Sequence, residues 1–240
     1  MTADENETTA TTAESTAPTA RSFMALPDRT EDGREPFAGC LAEVVRVLGL
    51  AVGPEAGPGG PLTWEQRARA ALREACDDGM VLSEEAFDTL LKAAVHDPNP
   101  SANRGFVEPA LSAFGRGRVQ SALLGYLRTG TNTERAGAAR AWYWSNVSLL
   151  RLPPVRAENP GAARGTEDGS AVVVEWNEAA LREFVANDHL DVRRCVLPGL
   201  PLRKSAYPPE LHDLVDTAVA TARSHPDEYI RHRVEHQIGD

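Results

Sequence analysis

The sequence is short of sulfur, of positive charge and of long apolar runs. Only Cys40, Cys76 and Cys195 occur in 240 residues. They are odd in number and far apart, which excludes a disulfide framework and reads as reduced, partly buried thiols of a cytoplasmic protein. The longest apolar candidate, Val44 to Val52, is short and is interrupted by Arg46, whereas a membrane span needs roughly 18 apolar residues. No membrane partner is expected. Lys and Arg number 25 against 35 Asp and Glu, for a net charge of −10. An acidic body is poorly suited to phosphate backbones, so the charge argues against nucleic acid as a partner. The opening "MTADENETTATTAESTAPTA" has neither a basic start nor an apolar core, and no secretory signal is read there. Phosphate-cradling, nucleophile-elbow and paired-cysteine motifs are missing too: "GPEAGPGGP" has glycines but no Lys-Ser/Thr, and the "GRG" at Gly115–Gly117 joins two helical patterns. No catalytic residue, cofactor or metal ligand is assigned.

Helical periodicity is what the sequence does have. Residues 1–34 lack it and lack large apolar side chains, so they are expected to form a disordered acidic Thr/Ala-rich tail, with Met24 a possible alternative start. The body is then 35–240. Phe37, Leu41, Val44, Val45 and Leu48 mark one helix face behind Pro36. Thr63 and Gln66 form a capping box for a second helix with Ala68, Ala71, Leu72 and Ala75 inward. Beyond it one apolar template recurs: Phe87/Leu90/Leu91/Ala94/Val95, Val119/Ala122/Leu123/Tyr126/Leu127, Ala180/Leu181/Phe184/Val185 and Leu211/Leu214/Val215/Ala218/Val219. Asn177 is expected to cap the third of these, with Trp176 stapled onto Leu181; "AVVVEW", Ala171 to Trp176, could be a short strand.

Each copy is followed by a polar turn and a second pattern, an arginine with apolar residues three and seven positions on. The matches are Arg104/Val107/Leu111, Arg135/Ala138/Trp142, Arg193/Val196/Leu200 and Arg231/Val234/Ile238. The arginines lie 31, 58 and 38 residues apart, and the long gap holds the polar Pro/Gly segment Arg151 to Ser170, read as an insertion loop. Four helix pairs on such a period predict an all-α fold of the α-solenoid kind.

"NDHLDVRRCVLPGL" (Asn187–Leu200) and "HPDEYIRHRVEHQIG" (His225–Gly239) resemble the turn and second helix of HEAT repeats; "DPNPSANRGFVEPALSAFG" (Asp97–Gly115) and "GTNTERAGAARAWYW" (Gly130–Trp144) are looser copies, with Asn103 and Glu134 in place of the aliphatic residue before the arginine. The resemblance implies a right-handed α-solenoid of about four HEAT-like helix pairs over 83–240, with residues 36–80 as an N-terminal helical cap. It also implies that the serial arginines lie toward the concave side and bond the turn acids or amides of a neighbouring repeat, among them Asp97, Asn99, Asn132, Asn187, Asp188 and Asp227. Function is expected to be non-catalytic, a protein or peptide segment held on the concave second-helix face. Two other classes share the architecture or the charge: a HEAT-like enzyme related to alkylpurine DNA glycosylases or bilin lyases, and an immunity-type or regulatory binder masking a basic partner.

Candidate partner-binding residues are Arg104, Arg135, Arg140, Tyr143, Trp144, Arg193 and Arg231. Arg193 has Asn187, Asp188 and Asp191 nearby, and Arg231 has Asp227 and Glu228; Arg104 and Arg135 have fewer local carboxylates and are expected to keep donors for a ligand. In "RAWYWSNVSLLR", Trp142 takes a core slot, so Tyr143 or Trp144 must approach the surface or pack under the insertion. "HRVEH", His232 to His236, matches an inverted zinc-peptidase pattern, but Val234 and Ile238 already fill repeat core positions, so the histidines are read as a solvated face. Residues 1–23 hold too few apolar side chains to offset an ordering cost of roughly 1–2 kcal/mol per residue. Their deletion should leave the melting temperature nearly unchanged in a thermal melt; a large drop would show that they pack on the body.

Overall fold

The computed structural model describes residues 24–30, 34–52, 63–147, 156–158 and 169–238. Among these, helices dominate: α1 Arg34–Val47, α2 Trp64–Asp77, α3 Glu84–His96, α4 Arg104–Phe114, α5 Arg116–Thr129, α6 Asn132–Asn146, α7 Gly169–Ala186, α8 Leu190–Val196, α9 His212–Arg223 and α10 Glu228–Ile238. Two strands of two residues, β1 Val81–Leu82 and β2 Arg156–Ala157, pair in parallel, Val81 with Arg156 and Leu82 with Ala157. The fold is all-α.

Local chemistry sets the helix starts. Thr63 caps α2, its hydroxyl accepting from Gln66 N while the Gln66 side chain accepts from Thr63 N at 2.8 Å. Thr131 and Glu134 make the same reciprocal box at α6, Thr131 N donating to Glu134 Oε2 at 2.8 Å, and Ser83 caps α3. Glu134 therefore stands before Arg135 because it is the third residue of a capped helix. Asn103 has its own reason: it is fully buried and donates to Ala94 O at 3.4 Å. Pro109 lies inside α4. Pro198 ends α8 early, turning the chain into a 3₁₀ segment at Leu197–Gly199.

The helices pack in a regular order. α1, α3, α5, α7 and α9 touch in succession, α2, α4, α6, α8 and α10 touch in succession, and each helix of the first series meets the next one in the chain. Between the two layers lies one continuous apolar core. Phe87, Leu90, Leu91, Ala94 and Val95 are all buried, as are Val119, Leu123 and Leu127 and, on α7, Ala180, Leu181 and Phe184; Ala122, Tyr126, Val185, Leu214 and Val219 are only partly covered. Phe37 meets Phe106 edge-on at 6.1 Å, and Phe87 meets Phe114 at 5.1 Å.

Two local readings are corrected. "AVVVEW" is helical, because α7 starts at Gly169 and runs through it, so Asn177 is a mid-helix residue and not a cap. Trp176 does not staple back along its own helix; it stacks on Trp142 with centroids 3.9 Å apart and planes 3° from parallel. The second correction concerns the tail boundary. Residues 24–30 lie along the body: Met24 and Leu26 pack on the core, Arg29 Nη2 donates to Val95 O at 3.2 Å, and Thr30 donates from both N (2.9 Å) and Oγ1 (2.8 Å) to Asp191 Oδ2. Residues 1–23 and most of the 151–170 insertion lie outside the described residues, but Arg156–Ala157 of that segment supplies β2.

One close approach fixes how α6 crosses the end of α3. A Cβ placed on Gly137 would stand 1.8 Å from Val95 O and 2.9 Å from Arg29 Nη2. Only glycine fits. Gly125 of α5 is the contrast, with nothing within 4 Å of such a Cβ. Gly137→Ala should destabilise by a few kcal/mol, in the range of core overpacking, whereas Gly125→Ala should stabilise by up to about 1 kcal/mol through helix propensity. Urea unfolding of the two variants checks this; equal effects would show that the α3–α6 crossing relaxes.

Candidate functional site

Two arginines pair with acids of later turns, and neither is one of the template arginines. Arg69 of α2 grips Asp97 with two parallel bonds, Nη1 to Oδ2 at 2.7 Å and Nη2 to Oδ1 at 2.8 Å, and Asp97 is fully buried. The Arg69 guanidinium also lies 4.6 Å from the Phe37 ring centroid. Three second helices further on, Arg194 of α8 pairs with Asp227 in the turn before α10 at 2.5 Å. In both, a second-helix arginine reaches forward to the acid in a later turn.

The template arginines are engaged otherwise. Arg135 Nη1 bonds Glu183 Oε1 of α7 at 3.1 Å, within a small network in which Asn187 Nδ2 donates to the same oxygen (2.6 Å) and to Asn132 Oδ1 (2.8 Å). Arg104 Nε bonds Glu108 one turn on at 2.6 Å. Each is thus paired through one nitrogen with a carboxylate, which comes from α7 for Arg135 and from within α4 for Arg104. Arg193 and Arg231 find carbonyls where carboxylates were expected: Arg193 Nε donates to Phe184 O at 3.3 Å, and Arg231 Nη1 to His225 O and Pro226 O at 2.6 and 2.7 Å. Asp191 is taken by Thr30, and Asp227 by Arg194. Arg140 is 5 % exposed and donates from Nη2 to Pro98 O at 2.8 Å; burial holds its guanidinium below the usual value. It faces no groove.

Three of the sequence-predicted residues do come together. Tyr143 of α6 is 56 % exposed, and its ring meets Trp144 edge-on at 5.1 Å. Trp144 is half-buried, anchored by Nε1–H to Pro100 O at 3.0 Å, and the Arg104 guanidinium lies 5.3 Å from its ring centroid. Arg104, Tyr143 and Trp144 therefore form one cluster on α4 and α6, built on the turn that joins α3 to α4. Arg135, Arg140, Arg193 and Arg231 are not part of it.

At the other end of the question, His232 and His236 share a face of α10 with rings 4.3 Å apart, and among the described residues no group of three His, Cys, Asp or Glu side chains is placed to hold a metal ion. The three cysteines are free and buried, and burial pushes the Cys76 and Cys195 thiols up to about 11; they are poor nucleophiles at neutral pH. A concavity that the periodicity argument passed over lies between α1, α3 and α5. It encloses about 530 Å³ and is lined by Gly39, Asp88, Lys92, His96 and Tyr126 among others. The signal was present as Asp88 and Lys92 at helical i, i+4 spacing on the face opposite the core template.

Comparison with protein-family models, with curated proteins and with solved structures finds no match.

The Asp97 and Asp227 clamps differ in what they predict. Asp97→Asn leaves a partly buried guanidinium without its charge partner and should cost about 3–5 kcal/mol, while Tyr143→Ala should change stability little. For Asp227, burial raises the carboxyl, but the Arg194 hydrogen bond and Ile230 N–H outweigh it and the net shift is downward. A lowered folded-state value means that this clamp contributes above the unfolded-state range and is lost as pH falls through the folded value. Asp227→Asn should thus lose stability at pH 7 and converge with the unaltered protein in acid, as followed by denaturant midpoints across pH; a constant gap at all pH values would show that the clamp is not ionic.

Proposed function

We propose that the chain is a non-catalytic interaction module, a right-handed HEAT-like α-solenoid of about four helix pairs capped by α1 and α2, which holds a segment of another protein on its second-helix layer. The alternating succession of helix contacts supports the solenoid reading. So does the forward reach of Arg69 to Asp97 and of Arg194 to Asp227, the bonding expected between neighbouring repeats. Free, buried thiols fit a reducing, cytoplasmic setting.

The observation that carries the binding reading is the Arg104–Tyr143–Trp144 cluster. An exposed tyrosine, held edge-on by an anchored tryptophan and flanked by an arginine, is the composition that dominates protein interfaces, and it presents a rigid amphipathic surface at low entropic cost. Engagement of Arg135, Arg193 and Arg231 by internal partners leaves this cluster as the one place where the predicted residues face outward together. The net charge of −10 favours a protein segment over a nucleic acid.

A photoreactive amino acid at position 143 tests this in the native cytoplasm. It should cross-link a discrete partner, and that partner should be lost on Arg104→Gln/Trp144→Phe while the melting temperature of the variant stays within a few degrees. The same probe at position 174, an exposed valine on α7 of the first-helix layer, should not capture it. Capture at 174 in place of 143 would move the interface to the other layer, and capture at neither would remove the proposal.

A further inference from the structure

The concavity between α1, α3 and α5 has charged groups on its rim and a hollow beneath them. On α3, Asp88 and Lys92 stand one helical turn apart on the same exposed face. Neither side chain, nor the Tyr126 hydroxyl across from them on α5, makes a hydrogen bond or ion pair with a described residue. A third charge on the rim, Glu43, is held by Arg46 through two bonds of 2.9 and 2.6 Å, and Arg46 Nη2 also bonds Glu85 Oε1 at 3.0 Å. His96 lies deeper, with Nε2 3.7 Å from Glu134 Oε1; burial lowers its pKa, so the ring is neutral at pH 7. The charged side chains lining the cleft are therefore Asp88, Lys92 and the Arg46-held Glu43, of which Asp88 and Lys92 are without a described hydrogen-bond partner.

The floor is shaped by α1. A Cβ built on Gly39 would have nothing within 4 Å, so the hollow beneath the rim exists because that position carries no side chain. Pro36 and the buried Cys40 give it apolar walls. The half-open cleft has a volume of about 530 Å³, within the roughly 300–1,000 Å³ of small-molecule sites.

We infer that this cleft is a binding site for a small zwitterion of the α-amino-acid class, its ammonium on Asp88, its carboxylate on Lys92 and the Tyr126 hydroxyl, and its side chain in the hollow over Gly39. A ligand with one charge alone fits less well. A simple cation meets Lys92, and a simple anion meets Asp88, with Glu134 behind. A ligand carrying both charges at short separation satisfies two unpaired groups at once, and each charged hydrogen bond is of the strong kind. The site is on the first-helix layer, remote in sequence from the Arg104–Tyr143–Trp144 cluster, and does not depend on the partner-binding reading.

The test uses the full chain, isotope-labelled, with L-leucine as the first probe because the hollow is apolar. Leucine should shift the amide resonances of Gly39, Thr89 and Lys92 saturably. N-acetyl-L-leucine, which lacks the ammonium, and L-leucinamide, which lacks the carboxylate, should each bind at least about tenfold more weakly, the loss of one charged hydrogen bond. Gly39→Leu should fill the hollow and abolish the shifts with the melting temperature preserved, and Lys92→Gln should weaken binding to a similar extent as leucinamide. Saturable binding of another amino acid in place of leucine, with the same losses, supports the site and identifies its side-chain preference. No saturable shift with any proteinogenic amino acid overturns the inference, as does equal binding of the N-acetyl compound or unchanged binding in a folded Gly39→Leu protein.

Discussion

A fully buried carboxylate, Asp97, organises the middle of this molecule. An ion removed from water is tolerated only when its lone pairs are filled, and here both oxygens are occupied, by the two Nη atoms of Arg69 and by Asn99 N at 2.9 Å. Satisfying Asp97 pulls α2 against the turn that follows α3. The same turn is held from the opposite side, where Arg140 bonds Pro98 O and Trp144 bonds Pro100 O. A seven-residue connection thus becomes the joint of three second helices, α2, α4 and α6. The aromatic cluster on α4 and α6 inherits its rigidity from this joint, because Trp144 is fixed at its indole nitrogen before anything else approaches.

Much of the fold was legible in the sequence because most of its helices are amphipathic with one stripe toward one core. Phe87, Leu90, Leu91, Ala94 and Val95 read as a helix face and are buried as one. The reading failed where long-range contacts decide. Val172, Val173 and Val174 suggest a strand by β-branching, yet Trp176 needs Trp142 as a stacking partner and the run is helical; propensity yields to packing there. The Thr131–Glu134 box is visible as T-x-x-E, and it accounts for Glu134 standing where the repeat template has an aliphatic residue.

The candidate site was legible in composition and not in pairing. The run around Trp142, Tyr143 and Trp144 stood out, and the exposed member could be narrowed to two. Which arginines remain open could not be read from neighbours in the chain, since Glu183 lies 48 residues beyond Arg135 and reaches it only through the packing of α7. The α1–α3–α5 cleft was invisible for a related reason: a hollow is set by three helices and by what Gly39 lacks.

The contact between Thr30 and Asp191 spans 161 residues of chain. Its consequence concerns the order of events during synthesis. Successive helix pairs are joined by short-range contacts and can form as they emerge, but the extended 24–30 segment has no finished berth until α8 has been made. Arg29 can meet Val95 once α3 has formed, but Thr30 finds Asp191 only when α8 is made, and the closure entropy of that very long loop is met only at the end. A contact made by one of the earlier residues translated is thereby among the last to form, and a ribosome paused before residue 191 would leave Thr30 without its carboxylate partner.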